Sequence, residues 1–176
     1  MDKNKQQTIS PGLYLVSTPI GNMEDITHRA LSILKRSNII LCEDTRRSVK
    51  LISYFKIKNK LTSYHKFNEE KVSKKIIESL KKNQIVSLIS DAGTPTISDP
   101  GKILVNKCIE ENLNVYPVPG SSAVTSAISI TGFSEKYLFY GFLPKKEKEL
   151  ESVLKSLRNF DYCLVFFASA SKINFY

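Results

Sequence analysis

The chain alternates short apolar runs with longer segments in which apolar residues recur every three or four positions. The runs that predict buried strands are 13–17, 38–42, 61–64, 85–89 and 113–118. The segments between them have helical spacing, as shown by Val72, Ile76 and Leu80 on an otherwise charged stretch. Because strands and helices alternate five times, the sequence predicts an α/β fold with a doubly wound, mainly parallel five-stranded sheet.

The pattern changes after residues 131–134, which mark a boundary along the chain. Beyond it we expect an aromatic strand over 136–143, a charged helix over 147–157 and a second strand over 162–167. A unit of this size buries too little surface for an independent core. The predicted divisions are a flexible N-terminal tail at 1–11, an N-terminal α/β domain at 12–132 and the beginning of an incomplete C-terminal α/β domain at 133–176.

Charge and cysteine content narrow the setting in which the protein acts. The formal net charge of +9 favours a polyanionic partner such as nucleic acid, although lysine richness also follows from nucleotide bias alone. Cys42, Cys108 and Cys163 are far apart in apolar stretches, so we expect buried free thiols in a reducing compartment. No apolar run approaches the roughly 20 residues of a membrane span, and the chain does not begin with a secretory signal. These features predict a cytoplasmic protein.

The segment 90–101 is the loop on which the chemistry is predicted to depend. It follows a predicted strand and precedes a helix, so it lies at the edge where open α/β sheets bind their ligands. Gly93 allows a ligand to approach the backbone closely, and Pro95 stiffens the loop. Asp91, Thr94, Ser98 and Asp99 supply hydrogen-bonding groups. A loop that only turned the chain would not need this length.

Three further loops, which follow Ser17, Cys42 and Val118, have the same position in the predicted sheet. The carboxyl ends of parallel strands meet at one edge, so we expect all four loops to form one cleft for a small ligand. None of them contains the Gly-x-Gly-x-x-Gly pattern of dinucleotide sites or the Walker pattern, which disfavours NAD and nucleoside triphosphates. Metal-ligand spacing is also absent from the sequence.

Each of these features also has a purely structural interpretation. Residues 119–120 can simply turn the chain, with Ser121 as a helix cap. The segment 43–46 can be a cap with surface ion pairs, and His65 can fill the end of a strand. The aromatic strand 137–142 is more typical of core packing than of a surface on which nucleic-acid bases stack.

Five motifs appear in order along the chain. They are LYLVSTPIGNMEDIT at 13–27, CEDTR at 42–46, SDAGTPTISDPG at 90–101, PGSSA at 119–123 and GFLP at 141–144. Together they closely resemble the ribosomal RNA small-subunit methyltransferase I family of the tetrapyrrole methylase superfamily, over about residues 12–146. The resemblance implies a two-domain fold with S-adenosylmethionine in the cleft between the domains. It also implies a homodimer that methylates a cytidine ribose 2′-hydroxyl in small-subunit (16S) ribosomal RNA, with the ribosomal subunit as partner.

The resemblance further assigns residues to the cofactor and to the RNA. The residues that it places at the cofactor are Ile20, Asp91, Gly93, Thr94, Pro95, Ser121, Ser122 and Ala123. A general base would help to remove the hydroxyl proton, and Glu43, Asp44 and His65 all remain candidates for it. Arg46 and Arg47 carry guanidinium groups of the kind that bind RNA phosphate.

The chain departs from this family in two respects. Family members continue well beyond position 176, and they typically have a Tyr-Glu-Ser-Pro-His-Arg-like segment where residues 167–172 are Phe-Ala-Ser-Ala-Ser-Lys. Two alternatives to RNA methylation therefore stand beside it: a small-molecule methylase acting on a tetrapyrrole, and an inactive truncated remnant. The basic charge and the Ser-Asp-Ala-Gly-Thr-Pro sequence count against the tetrapyrrole substrate.

Overall fold

The computed structural model describes residues 8–175, without the side chains of residues 172, 174 and 175. The chain divides into two compact units, one ending at Ser122 and the other beginning at Ala123. The domain boundary predicted at Gly132 lies further along the chain and stays a prediction. Of the predicted flexible tail, residues 1–7 lie outside the described part.

The first unit is built on a five-stranded sheet in which every neighbouring pair of strands is parallel. Its strands are β1 (Gly12–Val16), β2 (Ile39–Cys42), β3 (Leu61–Ser63), β4 (Ile85–Ile89) and β5 (Val115–Val118). They lie in the order β3-β2-β4-β1-β5, so β2, β4 and β1 each have neighbours on both sides. The predicted parallel sheet is confirmed.

Four helices cover the two faces of this sheet. They are α1 (His28–Arg36), α2 (Thr45–Tyr54), α3 (Glu69–Lys81) and α4 (Lys102–Glu110). Ile33 and Ile52, from α1 and α2, belong to one cluster of buried side chains, whereas Ile76 and Leu104, from α3 and α4, belong to another. The sheet is therefore doubly wound, as the sequence predicts.

The side chains of each central strand alternate between these two clusters, because successive residues of a strand point to opposite faces. In β1, Leu13 packs with the α3–α4 cluster, and Tyr14 packs with the α1–α2 cluster. In β2, Ile40 packs with the α1–α2 cluster and Leu41 packs with the α3–α4 cluster, and both are fully buried. Burial on both faces explains why these strands are continuous apolar runs rather than alternating ones.

Short polar side chains fix the points where α1 and α2 begin. Thr27 Oγ1 accepts a 3.0 Å hydrogen bond from the Ala30 amide at the start of α1. Asp44 Oδ1 accepts a 2.9 Å hydrogen bond from the Arg46 amide at the start of α2. Such caps satisfy amide groups that have no partner within the helix. Asp44 lies only two residues after β2, so its cap holds α2 close to the sheet edge.

All three cysteines are free thiols, as the sequence predicts. Cys42 and Cys108 are buried, whereas Cys163 is half-buried, so the expectation of full burial fails for that residue. Burial raises the pKa of Cys108 to about 11, which keeps its thiol protonated and unreactive at neutral pH. Over residues 8–175, none of the helices combines the length and the apolar character that a membrane crossing requires.

The second unit contains a parallel pair of strands. Its elements are α5 (Ala123–Thr131), β6 (Tyr137–Phe142), α6 (Glu147–Leu157), β7 (Cys163–Phe167) and a 3-10 helix (Ala170–Phe175). β6 pairs in parallel with β7, and α6 lies between them in the chain. The predicted order of strand, helix and strand is confirmed.

The aromatic side chains of β6 do not form the buried core that the sequence favours. Tyr140 and Phe142 are 42% and 60% exposed. The rings of Phe139 and Phe142 lie 4.9 and 5.3 Å from the Phe167 ring of β7. A two-stranded sheet covers little of its own surface, so these contacts stabilise the strand pair without burying it.

Candidate functional site

The loops after β1 and β4 are joined directly to each other. The Thr18 amide donates to the Gly93 carbonyl at 2.9 Å, and the Gly93 amide donates to the Thr18 carbonyl at 3.0 Å. The Thr18 hydroxyl also donates to the Ser90 carbonyl at 3.2 Å. Two of the four loops predicted to meet at the sheet edge therefore form one hydrogen-bonded structure.

Thr94 connects this pair to the loop after β5. Its hydroxyl lies 2.9 Å from the Ser17 hydroxyl and donates to the Ser121 carbonyl at 3.3 Å. One side chain thus joins its own loop, after β4, to the loops after β1 and β5. The hydroxyl is partly buried, so its hydrogen bonds are costly to leave unmade.

Gly93 occupies a position that a side chain would fill. Its φ of +81° lies in the left-handed region that favours glycine. A Cβ atom here would lie 3.4 Å from Ile20 Cγ2 and 3.7 Å from the Ser121 carbonyl oxygen. Residue 93 is buried, and Ile20 and Ser121, which the family resemblance assigns to the cofactor, approach its backbone closely.

The rest of the loop is held in an unusual backbone conformation. Thr96 and Ser98 have φ values of 71° and 64°, and a β-branched residue such as threonine is a rare occupant of this region. Gly101 has a φ of +134°, and a Cβ atom there would lie 2.6 Å from Leu88 Cδ2 and 2.7 Å from Thr96 Cγ2. Pro95 is buried. The surrounding packing therefore imposes the conformation of this loop.

Asp91 links the loop after β4 to the loop after β2. Its carboxylate accepts a 3.1 Å hydrogen bond from Arg47 Nη1 and a 3.4 Å hydrogen bond from the Asp44 amide. Beside it lies a cleft of about 320 Å³, which is lined by Ile20, Arg47 and Asp91 among others; we call it the Ile20 cleft. Ile20 and Asp91, predicted from loops far apart in the sequence, thus face one hollow.

A second hollow of about 390 Å³ adjoins α2 and the end of β3, and we call it the His65 cleft. It is lined by Glu43, Asp44, Thr45, Arg46, Ser63, His65, Lys66 and Phe67. The three candidate bases predicted from the sequence therefore lie together. Of the two predicted RNA-binding arginines, Arg46 lines this cleft and Arg47 lines the Ile20 cleft.

The three candidate bases differ in how they are held. Arg46 donates to both Asp44 oxygens at 3.0 and 2.8 Å, and these bonds lower the pKa of Asp44 to about 2. His65 Nδ1 accepts a hydrogen bond from the Phe67 amide, so the neutral ring carries its proton on Nε2 and cannot accept another there. Glu43 is exposed, and no hydrogen bond to its carboxylate is found among residues 8–175.

Asp99 and Phe67 complete this surface; the sequence predicts Asp99 only as a hydrogen-bonding group of its loop and predicts no role for Phe67. Asp99 shares a smaller hollow with Glu43 and Lys66, and burial together with the charges of Glu43 and Asp91 raises its pKa to about 6. Phe67 is 94% exposed. Asp99 lies within the motif at 90–101, which was an available signal, whereas exposure of Phe67 has no signature in the sequence.

The remaining predicted cofactor residues lie where the first unit ends. Ser121 and Ser122 are half-buried, and the Ser121 hydroxyl donates to the Asp25 carbonyl at 3.4 Å. Ala123 is the first residue of α5 and belongs to the second unit. The structure therefore brings Ile20, Gly93 and Ser121 together in the first unit.

Sequence comparison relates the whole described chain to known proteins. Residues 12–175 match the family of Tetrapyrrole (Corrin/Porphyrin) Methylases. The protein named Ribosomal RNA small subunit methyltransferase I from Thermotoga maritima is 46% identical over 162 residues, which cover 92% of this chain and 72% of that protein. The protein of the same name from Rickettsia prowazekii is 46% identical, and the match covers 94% of this chain and 59% of that protein. The one from Mesomycoplasma conjunctivae is 51% identical, and the match covers 77% of this chain and 58% of that protein.

Structural comparison agrees at the level of the fold. A diphthine synthase superimposes with a TM-score of 0.69 at 16% identity, covering 90% of this chain and 64% of that one. Uroporphyrin-III C-methyl transferase from Thermus thermophilus, solved with S-adenosyl homocysteine, superimposes with a TM-score of 0.63 at 18% identity. This match covers 92% of this chain and 71% of that one.

The chain is shorter than its curated relatives. It spans 56% of the relative from Halalkalibacterium halodurans, which is 42% identical over 162 residues. The sequence similarity nevertheless extends through both units, since the family match runs from β1 to the last described residue. The chain therefore belongs to the tetrapyrrole methylase family and, within it, to the ribosomal RNA small subunit methyltransferase I proteins.

Proposed function

We propose that this protein uses S-adenosylmethionine to methylate the 2′-hydroxyl of a cytidine ribose in small-subunit (16S) ribosomal RNA. The observation that carries the proposal is the 42–51% identity to relatives that are named for methylation of this RNA. The proposed substrate is RNA within the ribosomal subunit, and the protein acts as a homodimer in the cytoplasm. The net charge of +9 supports a polyanionic substrate.

The cofactor site that we propose lies where the loops after β1, β4 and β5 are joined, beside the Ile20 cleft. The residues proposed to hold it are Ile20, Asp91, Gly93, Thr94, Pro95, Ser121, Ser122 and Ala123. Ile20 offers an apolar wall and is 37% exposed. The Asp91 carboxylate, a hydrogen-bond acceptor, would face the amino group of the cofactor's methionine part. Thr94 holds three loops in register, so the site is formed before the cofactor arrives.

When bound, the cofactor supplies a methyl group already activated by a positively charged sulfur. The protein then has two tasks, which are to align the ribose oxygen and to remove its proton. We assign the second task to Glu43, whose carboxylate accepts the proton of the 2′-hydroxyl. Asp44 is a poorer base because its Arg46 ion pair lowers its pKa to about 2. His65 is poorer because its free nitrogen already carries a proton when the ring is neutral.

We propose that Arg46 and Arg47 bind the phosphates of the RNA strand. Their side chains are 87% and 70% exposed although each makes an ion pair, with Asp44 and Asp91 respectively. Exposed ion pairs contribute little stability, so these guanidinium groups can exchange carboxylate contacts for phosphate contacts at small cost.

The test is incubation of the protein with labelled S-adenosylmethionine and small ribosomal subunits that lack the modification. We expect 2′-O-methylcytidine in the digested RNA. Binding of the cofactor without any ribose methylation would reject the RNA substrate. Turnover of a uroporphyrinogen instead would favour the tetrapyrrole alternative, and absence of cofactor binding in calorimetry would favour the inactive remnant.

A further inference from the structure

Phe67 has the most exposed large apolar side chain among the described residues, at 94%. Its position follows β3, at the edge of the sheet that carries the candidate site. A single exposed phenylalanine is not unusual by itself. What distinguishes Phe67 is the support of its loop and the composition of the cleft that it lines.

The loop that carries Phe67 is held by a network of hydrogen bonds. Asn68 Oδ1 accepts from the His65 amide at 2.9 Å, and Asn68 Nδ2 donates to the Ser63 carbonyl at 3.1 Å. The Phe67 amide donates to His65 Nδ1 at 3.2 Å. The backbone on both sides of Phe67 is therefore fixed, and little backbone conformational entropy is lost when the ring contacts a ligand.

The His65 cleft offers both a flat apolar face and polar groups. Thr45 and Ser63 line it with hydroxyl groups, which can donate or accept hydrogen bonds. Arg46 and Lys66 line it as well, and both are exposed. An aromatic ring between cationic side chains is the arrangement with which proteins bind unpaired nucleotides, because bases stack on the ring while cations contact phosphate.

We propose that Phe67 stacks on an unpaired base of the RNA segment whose ribose is methylated, and that the His65 cleft receives that base. The inference rests on the proposed function. Its location supports it, since Asp44 and Arg47 hold Asp91 at 3.4 and 3.1 Å and so connect the wall of this cleft to the loop 90–101. An RNA strand bound here lies beside the proposed methyl donor.

The first experiment uses the absence of tryptophan from the sequence. The variant Phe67→Trp introduces the only indole, and its fluorescence should be quenched when single-stranded RNA from the target region is added. The matched control is Tyr54→Trp at the far end of α2, where the native side chain is 61% exposed; no quenching is expected there. Equal quenching of both variants, or of neither, would overturn the proposal.

The second experiment measures RNA affinity and methylation by Phe67→Ala, Phe67→Leu and Phe67→Tyr. Because the native ring is exposed, all three should unfold at the same temperature as the native protein. We expect Phe67→Ala and Phe67→Leu to bind the RNA about 5- to 100-fold more weakly, and Phe67→Tyr to bind as the native protein does. Affinity for S-adenosylmethionine should be unchanged in all of them.

The outcomes separate the two proposals. If the native protein methylates ribosomal subunits and Phe67→Ala binds RNA equally well, the stacking role is wrong and the methyltransferase function stands. If Phe67→Ala loses affinity for intact subunits but not for protein-free RNA, Phe67 contacts a ribosomal protein and the stacking role is again wrong. If the native protein neither binds nor methylates RNA, both proposals fall.

Discussion

Thr18 and Gly93 exchange backbone hydrogen bonds of 2.9 and 3.0 Å across the edge of the sheet, so the loops after β1 and β4 behave as one piece. The two residues lie far apart in the sequence, but their strands are direct neighbours in the order β4-β1. Changes at Gly93 should therefore affect the backbone near Ile20 as well as the loop itself.

The first prediction concerns Gly93→Ala. The new methyl group should occupy the space between Ile20 and Ser121 and weaken binding of S-adenosylmethionine at least tenfold, measured by calorimetry. The left-handed φ of +81° should also cost about 1 kcal/mol of folding free energy. The matched control is Gly132→Ala, which has a φ of +63° and no atom within 4 Å of its new Cβ. It should lose similar stability and no affinity; equal affinity losses in both variants would contradict a cofactor site beside Gly93.

The second prediction concerns the hydroxyl of Thr94. Thr94→Val keeps the shape of the side chain but removes the hydrogen bonds to Ser17 and Ser121, and should lower the free energy of unfolding by about 1–2 kcal/mol. Thr94→Ser keeps the hydroxyl and should lower the free energy of unfolding by less than Thr94→Val does. Urea denaturation measures the stability of both variants, provided that the dependence of the unfolding free energy on urea concentration is the same as in the native protein. A Thr94→Val variant as stable as the native protein would show that this hydroxyl does not hold the loops together.

The third prediction concerns pH and Asp99. Its pKa is raised from 3.8 to about 6 in the folded protein, so the folded state binds this proton more tightly than the unfolded chain does. Stability is therefore highest when Asp99 is protonated, falls as the pH rises from about 4 to about 6, and stays lower above that range. Asp99→Asn removes the ionisation and should stabilise the protein at pH 7.5 by up to about 1 kcal/mol, a value reduced because the group is partly exposed.

Denaturant titrations of the native protein and Asp99→Asn at pH 3.5 and 7.5 measure this difference. The gain at pH 7.5 should largely disappear at pH 3.5, where the native carboxyl is mostly protonated in both states. A gain of equal size at both pH values would indicate a packing effect rather than the ionisation of Asp99.

The fourth prediction concerns Glu43 as the proposed base. Glu43→Gln should lower kcat for RNA methylation by about 10²- to 10⁴-fold and leave cofactor affinity unchanged. Asp44→Asn keeps a good helix cap for α2 and should reduce kcat far less. Glu110→Gln, on the exposed end of α4, controls for loss of a surface charge. If Glu43→Gln keeps full activity and Asp44→Asn loses most of its kcat, the general base is Asp44 and not Glu43.

Much of the fold is readable from the sequence because its signals are local. The run 85–89 coincides with β4, and the charged segment 147–157 coincides with α6. The order of the strands in the sheet cannot be predicted in this way, because no local pattern indicates that β4 lies between β1 and β2. Pairing partners depend on contacts between residues far apart in the chain.

The residues of the candidate site also divide into those that a sequence motif identifies and those that only the folded structure identifies. Ile20, Gly93 and Ser121 were assigned through their motifs, and the structure brings them together. Asp99 was predicted only as a hydrogen-bonding group of its loop, because its raised pKa arises from burial and from the nearby charges of Glu43 and Asp91, which the sequence does not display. Phe67 was missed for a related reason, since an exposed and a buried phenylalanine look alike in a sequence.

The alternation of Leu13 and Tyr14 between the two buried clusters limits how this chain can change in length. Deleting one residue from β1 would reverse the facing of every side chain beyond the deletion and shift the Thr18 bridge out of register with Gly93. Insertions and deletions within β1 should therefore destabilise the fold far more than changes of length in exposed connections.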